Sequence, residues 1–293
     1  MFREKLSLGH KELLQARFKY SRSFLSEYSF SNLYLFRESH DYHVIKDEDS
    51  VFISGKTYDG LRYIMPTGEI SVSDLAVLKN FLHDYDFVFP IPEEWLGAFG
   101  VKGVKSTFVE GDSDYIYSVE QLATYKGRKL HDKKNLLNQF LSLYTPQAFP
   151  LTKERMDDAR SILDAWQEDV GGEKTSTDYF PCQEGLALYD ELVLCGGIYY
   201  VNGEPAGFII GEEINDAMFV FHFAKGKRKF KGLYQYMYNH FAGILPAHYT
   251  HINFEQDLGK LALKIAKSSY NPEQMLHKYR VSFVSDLVSS KRE

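Results

Sequence analysis

Residues 192–245 constrain the fold more than any other part of the sequence, because strand and helix patterns follow one another there without a long loop. The strand-like runs are 193–201, 204–213 and 217–224, joined by Asn202-Gly203 and Asn215-Asp216. Such pairs favour hairpin turns, so the runs predict three antiparallel strands. A helix should follow, since apolar residues then recur at helical spacing. They are Leu233, Met237, Phe241 and Leu245.

Between the last of these strands and the helix lies a basic turn, residues 225–231, with five Lys or Arg side chains and no acid. A helix N-terminus offers unpaired backbone N–H groups and the positive end of the helix dipole, so the turn has the features of an anion-binding loop. A solvated charged turn is the alternative. The residues expected to hold an anionic donor are Lys227, Arg228, Lys229, Lys231, Gly232 and Leu233.

A second basic island, residues 126–134, carries five Lys or Arg side chains and one acid, Asp132. The whole chain has a net charge of −6, which disfavours broad adhesion to a nucleic-acid duplex. Two basic islands in an acidic chain instead indicate local capture of phosphate, as in a tRNA acceptor end, a lipid head group or a nucleotide. Surface lysines on a helix are the alternative interpretation of this island.

The order of strand, basic turn and helix resembles the core of GNAT-type acyltransferases, whose pyrophosphate loop follows the pattern Arg/Gln-x-x-Gly-x-Gly/Ala. Lys229 and Gly232 match the first and fourth places of that pattern. Tyr234 stands where the pattern has a small residue, which opposes acetyl-coenzyme A as the donor. The resemblance implies a phosphate-bearing acyl donor, either an acyl-coenzyme A or an aminoacyl-tRNA, and no permanently bound cofactor.

Three further segments resemble the family of bacterial proteins named for the phosphatidylglycerol lysyltransferase C-terminal domain. One is Asn253-Phe254-Glu255-Gln256-Asp257-Leu258-Gly259 with the later Lys267-Ser268-Ser269-Tyr270 and Lys278-Tyr279. The opening motif is at 26–36, and the middle motif is at 114–118 and 133–140. Proteins of this family are built as two GNAT-like halves in one chain, and the resemblance spans nearly all of this sequence.

The resemblance implies an α/β (α+β) protein of two GNAT-like units, each a mostly antiparallel, splayed sheet flanked by helices. The 293 residues are enough for two such domains. Thr145-Pro146 and Phe149-Pro150 interrupt the chain between them. We therefore expect an N-terminal domain at 1–148 and a C-terminal domain at 149–293, the latter ending in a strand at 279–284.

Acyl transfer to an amine or hydroxyl needs a base for the nucleophile and stabilisation of an oxyanion. The catalytic candidates are Glu255, Asp257 and Tyr270, and the substrate-binding candidates are Lys133, Lys134, Asn135, Asn253 and Lys267. Asp257 could instead cap a helix at 258–267, and Tyr270 could simply pack. Glu255 has no structural role evident in the sequence, and pairing with Lys264 or Lys267 is the alternative. His222 fits an ordinary strand histidine better than a base.

These observations leave three functions open, of which a coenzyme-A-dependent N-acetyltransferase is the one that Tyr234 opposes. The first is an acyl- or aminoacyltransferase that moves its group to an amine or hydroxyl acceptor. The second is a non-catalytic protein that binds a phosphate-bearing ligand or RNA in the same cleft. No run of eighteen apolar residues and no zinc-finger spacing occur. We expect a soluble cytoplasmic protein without a metal, able to contact lipid peripherally, and the sequence leaves its oligomeric state open.

Overall fold

The computed structural model describes residues 2–21, 23–47, 49–100 and 103–283. By spatial contact these residues form two compact units. The first contains the described residues of Met1–Asp114, Gln256–Lys260 and Leu276–Glu293, and the second contains Tyr115–Glu255 and Leu261–Met275. Residues 115–148, which the sequence assigns to the N-terminal domain, therefore pack within the second unit.

The first unit is built on a seven-stranded sheet in the order β1-β2-β3-β4-β5-β14-β6. Its elements are β1 (Phe2–Lys5), α1 (Lys11–Ser21), α2 (Phe30–Leu35), α3 (Arg37–His40), β2 (His43–Asp47), β3 (Ser50–Lys56), β4 (Arg62–Pro66), α4 (Val72–Phe81), β5 (Phe87–Ile91), β6 (Val104–Phe108) and β14 (Tyr279–Phe283). Neighbouring strands are antiparallel except β4 and β5, which run parallel.

The second unit has its own seven-stranded sheet in the order β13-β7-β12-β11-β10-β9-β8. Its elements are β7 (Asp114–Ser118), α5 (Val119–Thr124), α6 (His131–Leu143), β8 (Pro146–Pro150), α7 (Met156–Val170), α8 (Tyr179–Ala187), β9 (Cys195–Val201), β10 (Glu204–Asn215), β11 (Met218–Gly226), α9 (Leu233–Ile244), β12 (His251–Asn253), α10 (Leu261–Ser268) and β13 (Gln274–Leu276). The pair β11 and β12 is parallel.

The two sheets repeat one topology. Each begins with a series of antiparallel neighbours, β1 to β4 and β8 to β11, and continues through a parallel pair, β4 with β5 and β11 with β12. The next strand in the first sheet is β14, and the equivalent strand in the second sheet is β7. The terminal strand predicted for the C-terminal domain thus completes the first sheet, and residue 284 lies outside the described part. The predicted fold class, two mostly antiparallel sheets flanked by helices, is confirmed.

The core of the second unit is rich in aromatic rings and is closed by α9, whose Leu233, Met237 and Phe241 are buried as their spacing predicts. On α6, Phe140 joins this core, whereas Leu141 is 49% exposed. None of the helices among the described residues is long and apolar enough to cross a bilayer.

Helix α10 presents its apolar side chains to solvent. Leu261 and Ile265 are 70% and 61% exposed, although their spacing predicts a face packed on the protein. Lys267 instead turns inward, and its ammonium group donates to the Phe254 carbonyl at 2.6 Å. The contact that this helix makes through Lys267 is therefore polar, to a backbone carbonyl.

Candidate functional site

The second sheet opens between β11 and β12. Their parallel pairing covers three positions, ending where Val220 lies opposite Asn253. Strand β12 stops there, while β11 continues to Gly226. Beyond this point β11 and β12 share no backbone hydrogen bonds. The backbone N–H and C=O groups in the gap therefore need other hydrogen-bond partners, such as side chains.

A β-bulge places His222 at this gap. In the hairpin register Ile210 lies opposite Phe223 and Gly211 lies opposite Phe221, so His222 is the extra residue of β11. A bulge reverses the alternation of side chains beyond it and re-aims the bulged residue. Accordingly Ala224, two residues further on, packs against the same core as Phe221.

The imidazole of His222 is fully buried between two carboxylates. Its Nε2 lies 2.9 Å from Glu212 Oε1, and its Nδ1 lies 2.8 Å from Glu255 Oε1. Burial alone would lower the pKa of His222, but the hydrogen bonds to Glu212 and Glu255 and their charges outweigh it and raise that pKa to about 10. The imidazole is therefore protonated at neutral pH and is paired with both carboxyl groups in one buried ion cluster.

The backbone at Glu255 is held in an unusual conformation. Its φ is +59°, in the left-handed region that costs a residue with a side chain about 1–2 kcal/mol. The Asn253 side chain accepts the Glu255 N–H at 2.6 Å, and Lys267 donates to the Glu255 carbonyl at 3.2 Å. Glu255 thus has structural partners, among them the Lys267 of the alternative interpretation, which contacts its backbone carbonyl. Asn253 and Lys267 together stabilise the turn at Glu255.

Tyr270 packs against Lys133. The Lys133 ammonium lies 4.0 Å from the centre of the Tyr270 ring and donates to Ser269 at 2.7 Å. The Tyr270 hydroxyl accepts a hydrogen bond from Gln235 at 2.8 Å. Because burial raises the pKa of Tyr270 well above its ordinary value, the hydroxyl stays protonated at neutral pH.

Asp257 lies in the first unit, where it is 1% exposed. Its Oδ1 accepts the Gly259 N–H at 2.8 Å, and its carbonyl accepts the Lys260 N–H at 3.0 Å. The alternative interpretation of Asp257 as a helix cap is wrong, because α10 begins only at Leu261. The side chain stabilises the turn that precedes the helix.

The basic turn carries its own counter-ions. Lys227 and Lys229 donate to the two oxygens of Glu204 at 2.8 Å and 2.7 Å, and these bonds lower the pKa of Glu204. The Arg228 N–H donates to Asp169 at 2.7 Å. Lys231 is exposed, whereas Leu233 is buried. Part of the positive charge predicted to meet a ligand is therefore neutralised within the protein.

Gly232 begins α9 with a φ of +90°. A Cβ at this position would lie 2.6 Å from the Leu136 carbonyl oxygen and 2.8 Å from Phe140 Cβ. Glycine is needed here so that α9 can pack against α6. The neighbouring Tyr234 directs its hydroxyl to the Gly226 N–H at 3.1 Å, so the last amide of β11 is already paired.

The second basic island surrounds an open depression of about 630 Å³ lined by Tyr125, Lys126, Gly127, Arg128, His131, Asp132 and Lys134. Lys134 and Asn135 are exposed on α6, whereas Lys133 is half-buried. Burial lowers the pKa of Lys133 despite the neighbouring Asp132 charge. The island thus offers cationic side chains to solvent at the beginning of α6.

The family model described as phosphatidylglycerol lysyltransferase, C-terminal, matches residues 18–282. The chain belongs to this family. A solved conserved protein of unknown function from Bacteroides thetaiotaomicron VPI-5482 is 27% identical to it, with a TM-score of 0.84, over 96% of this chain and 99% of that one. Membership of the phosphatidylglycerol lysyltransferase C-terminal family supports an aminoacyl- or acyltransferase.

Two further solved structures share the fold. L-PGS from Bacillus licheniformis is 17% identical, with a TM-score of 0.59, over 94% of this chain and 93% of that one. The C-terminal domain of a protein named as a lysylphosphatidylglycerol synthetase, from Agrobacterium fabrum, is 12% identical, with a TM-score of 0.61, over 94% and 92%. The predicted resemblance to the phosphatidylglycerol lysyltransferase C-terminal family is confirmed.

In this member of the phosphatidylglycerol lysyltransferase C-terminal family, three resembling segments meet inside the first unit. Lys278 is fully buried and donates to Glu27 at 2.8 Å and to Asp114 at 2.6 Å. Burial raises the pKa of Glu27 to about 7, and the charge of Asp114 adds to this while Lys278 opposes it. The buried ammonium group of Lys278 thus forms ion pairs with two carboxyl groups. This cluster was not identified from the sequence, although each of its charged residues lies in one of the resembling segments.

Proposed function

We propose that the protein is an aminoacyltransferase that takes its aminoacyl group from an aminoacyl-tRNA and passes it to an amine or hydroxyl acceptor. The observation that carries the proposal is the Glu255–His222 contact of 2.8 Å at the gap between β11 and β12. A carboxylate held there by a buried imidazolium is placed as a general base. Membership of a family named for a lysyltransferase gives the reaction class.

In the proposed step the acceptor oxygen or nitrogen attacks the ester carbonyl of the aminoacyl-tRNA, and Glu255 takes the acceptor proton. The resulting tetrahedral oxyanion collapses, the bond to the ribose oxygen breaks, and Glu255 returns the proton to that oxygen. His222 cannot be the base at neutral pH, because its pKa is raised to about 10. It acts instead as a positioning residue that keeps the Glu255 carboxylate in one orientation.

Three contacts favour tRNA over acyl-coenzyme A as the donor. The Gly226 amide is paired with Tyr234, Gly232 is packed on α6, and Lys227 and Lys229 are paired with Glu204. A pyrophosphate at this turn would compete with Glu204 for both lysines and with Tyr234 for the Gly226 amide. The exposed cations at the beginning of α6 have room for a larger polyanion. These are Lys126, Arg128, Lys129 and Lys134.

The test is a donor panel under single-turnover conditions. Radiolabelled aminoacyl-tRNAs and acetyl-coenzyme A are each mixed with the protein and with amine, alcohol or phosphatidylglycerol acceptors. We expect label to move from an aminoacyl-tRNA and none from acetyl-coenzyme A. Transfer from acetyl-coenzyme A would favour an N-acetyltransferase. Tight tRNA binding without transfer to any acceptor would favour the non-catalytic binding protein.

A further inference from the structure

The connection between α7 and α8 forms a strap, residues 169–178, that is tied to the basic turn at both ends. The Asp169 carboxylate, in the last turn of α7, accepts the Arg228 N–H at 2.7 Å. Asp178, the residue before α8, accepts the Lys225 ammonium group on both of its carboxylate oxygens, at 2.6 Å and 2.7 Å. Residues 171–176 between them are exposed and carry no apolar side chain. Carboxylates therefore hold the strap on the turn.

Two glycines give the strap a hinge where it leaves α7. Gly171 and Gly172 have φ values of +74° and +77°, a region that glycine enters and leaves at little cost. A Cβ at Gly171 would have nothing within 4 Å. Gln167 of α7 holds the strap through neutral hydrogen bonds, with Thr177 at 2.7 Å and the Gly172 carbonyl at 3.3 Å. Movement away from the turn therefore breaks the two aspartate contacts and leaves residues 171–176 with no apolar surface to expose.

The contact of Asp178 can be exchanged for another anion but not simply lost. Lys225 is 4% exposed, and its ammonium group lies 3.6 Å from the centre of the Trp166 ring. A buried ammonium group without a counter-ion strongly destabilises a protein. The Asp178 side chain is 34% exposed, so an anion from solvent can reach it. Lys225 therefore keeps Asp178 until another anion takes its place.

The basic turn is occupied by carboxylates from three elements. Asp169 belongs to α7, Asp178 precedes α8, and Glu204 begins β10, where it accepts from Lys227 and Lys229. Ammonium groups and backbone N–H groups are also the donors that bind phosphate oxygens in proteins. A phosphate group at the turn would therefore compete with the three carboxylates, two of which belong to the strap.

We propose that the strap is an autoinhibitory contact, which holds Lys225 and the Arg228 amide while no anion is bound and is released when a phosphate group takes over these donors. The proposal rests on the proposed function only in taking this phosphate from the aminoacyl-tRNA donor. A phosphate group competes well with a carboxylate because it carries more negative charge and a third acceptor oxygen. Release of the strap uncovers the turn for the remainder of the donor.

Hydrogen exchange of the full chain, read by mass spectrometry with and without sodium pyrophosphate, tests the proposal. We expect exchange of the amides in 171–178 to rise about tenfold with pyrophosphate and to stay unchanged in sodium chloride of equal ionic strength. The same measurement with tRNA identifies the source of the phosphate. Release by tRNA assigns it to the proposed donor, whereas release by pyrophosphate alone supports the strap and contradicts tRNA at this turn.

A variant of Asp169 separates the strap from ordinary surface charge. Asp169→Ala removes one link at an exposed position, so exchange in 171–178 should be raised before any anion is added. Pyrophosphate should bind this variant about threefold or more tightly than the wild type, because an internal competitor has been removed. Glu168→Ala, at the exposed neighbouring position of α7, is the matched control and should change neither quantity. Calorimetric titration measures the affinities.

Three results would overturn the proposal: pyrophosphate that binds neither protein, pyrophosphate that binds without changing exchange in 171–178, or an Asp169→Ala protein that binds it no more tightly than the wild type. Anion-driven release in a protein that transfers nothing from any aminoacyl-tRNA would leave the strap standing and sink the proposed function. Transfer by a protein whose exchange in 171–178 responds to no anion would do the reverse.

Discussion

His222 Nδ1 and Glu255 Oε1 lie 2.8 Å apart and join two strands that have already separated. One partner is a bulged residue of β11, and the other follows the end of β12 in a left-handed backbone conformation. Both positions cost free energy. The bulge interrupts the hydrogen bonds between β10 and β11, and the positive φ strains the backbone of a residue that has a side chain. The hydrogen bonds of His222 to Glu212 and Glu255 link both positions.

Replacing Glu255 by Gln should lower the single-turnover transfer rate by about a hundredfold or more, since positioned acid–base groups contribute roughly 10²–10⁴. The amide can still accept from His222, so the unfolding free energy should fall by no more than about 2 kcal/mol. Glu168→Gln, an exposed change in the same unit, is the matched control. Full activity in Glu255→Gln would rule this residue out as the base.

The stability of the protein should depend on pH through His222. Its pKa is raised to about 10 in the folded state, against about 6.5 when unfolded. The stabilisation is therefore complete below pH ~6.5 and is lost as pH rises towards 10, at up to about 1.4 kcal/mol per pH unit. Urea unfolding of the wild type and of His222→Gln at several pH values between about 6.5 and 10 measures the difference in their unfolding free energies. If the difference in unfolding free energy stayed constant across this pH range, His222 would carry no bound proton in the folded protein there.

Removing the counter-ion of the basic turn should strengthen anion binding. Glu204→Gln frees the ammonium groups of Lys227 and Lys229, whereas replacing Lys227, Arg228 and Lys229 by Gln removes them. Affinity for tRNA should rise in the first variant and fall in the second, with a shallower salt dependence in the second. The Lys229–Glu204 pair is exposed and contributes little to stability, whereas the Lys227 side chain is mostly buried, so both variants should melt slightly below the wild type. Equal affinities in all three proteins would exclude the turn from the donor site.

Gly232→Ala should destabilise the protein strongly. The added Cβ would meet the Leu136 carbonyl at 2.6 Å and would hold an alanine at a φ of +90°. A cost of about 1–3 kcal/mol follows from the backbone alone, and the clash adds to it. Gly243→Ala lies on the same helix with nothing within 4 Å and should be neutral or slightly stabilising. The denaturant midpoints of Gly232→Ala and Gly243→Ala, each compared with that of the wild type, test this prediction.

Local pattern was sufficient to predict the hairpin and the helix of the second unit. The predicted run 204–213 is β10 (Glu204–Asn215), and the spacing of Leu233 and Met237 marks the buried face of α9. The sequence does not predict the bulge, because Phe219, Phe221 and Phe223 follow the regular alternation of a strand without interruption. Only pairing with β10 inserts His222 as an extra residue.

The candidate site was predictable only in part, because its decisive contacts are not local. Glu255 stood out in its motif, but its partner His222 is 33 residues away and looked like an ordinary strand histidine. The buried cluster joins Lys278 to Asp114 and Glu27 over separations of 164 and 251 residues. The available signal was that each of these charged residues is followed directly by a tyrosine. Nothing in the sequence pairs one such residue with another.

The first sheet can be completed only after strand β14 has been synthesised, near the end of the described residues. Its Val281, fully buried, lies opposite Val88 of β5 on one side and Ser106 of β6 on the other. Six strands of that sheet are complete by residue 108, yet the place between β5 and β6 stays open until residues 279–283 have been made. Unpaired strand edges template association between chains. A nascent chain is therefore exposed to aggregation at this gap throughout the synthesis of the second unit, and the unit that is translated first completes its sheet last.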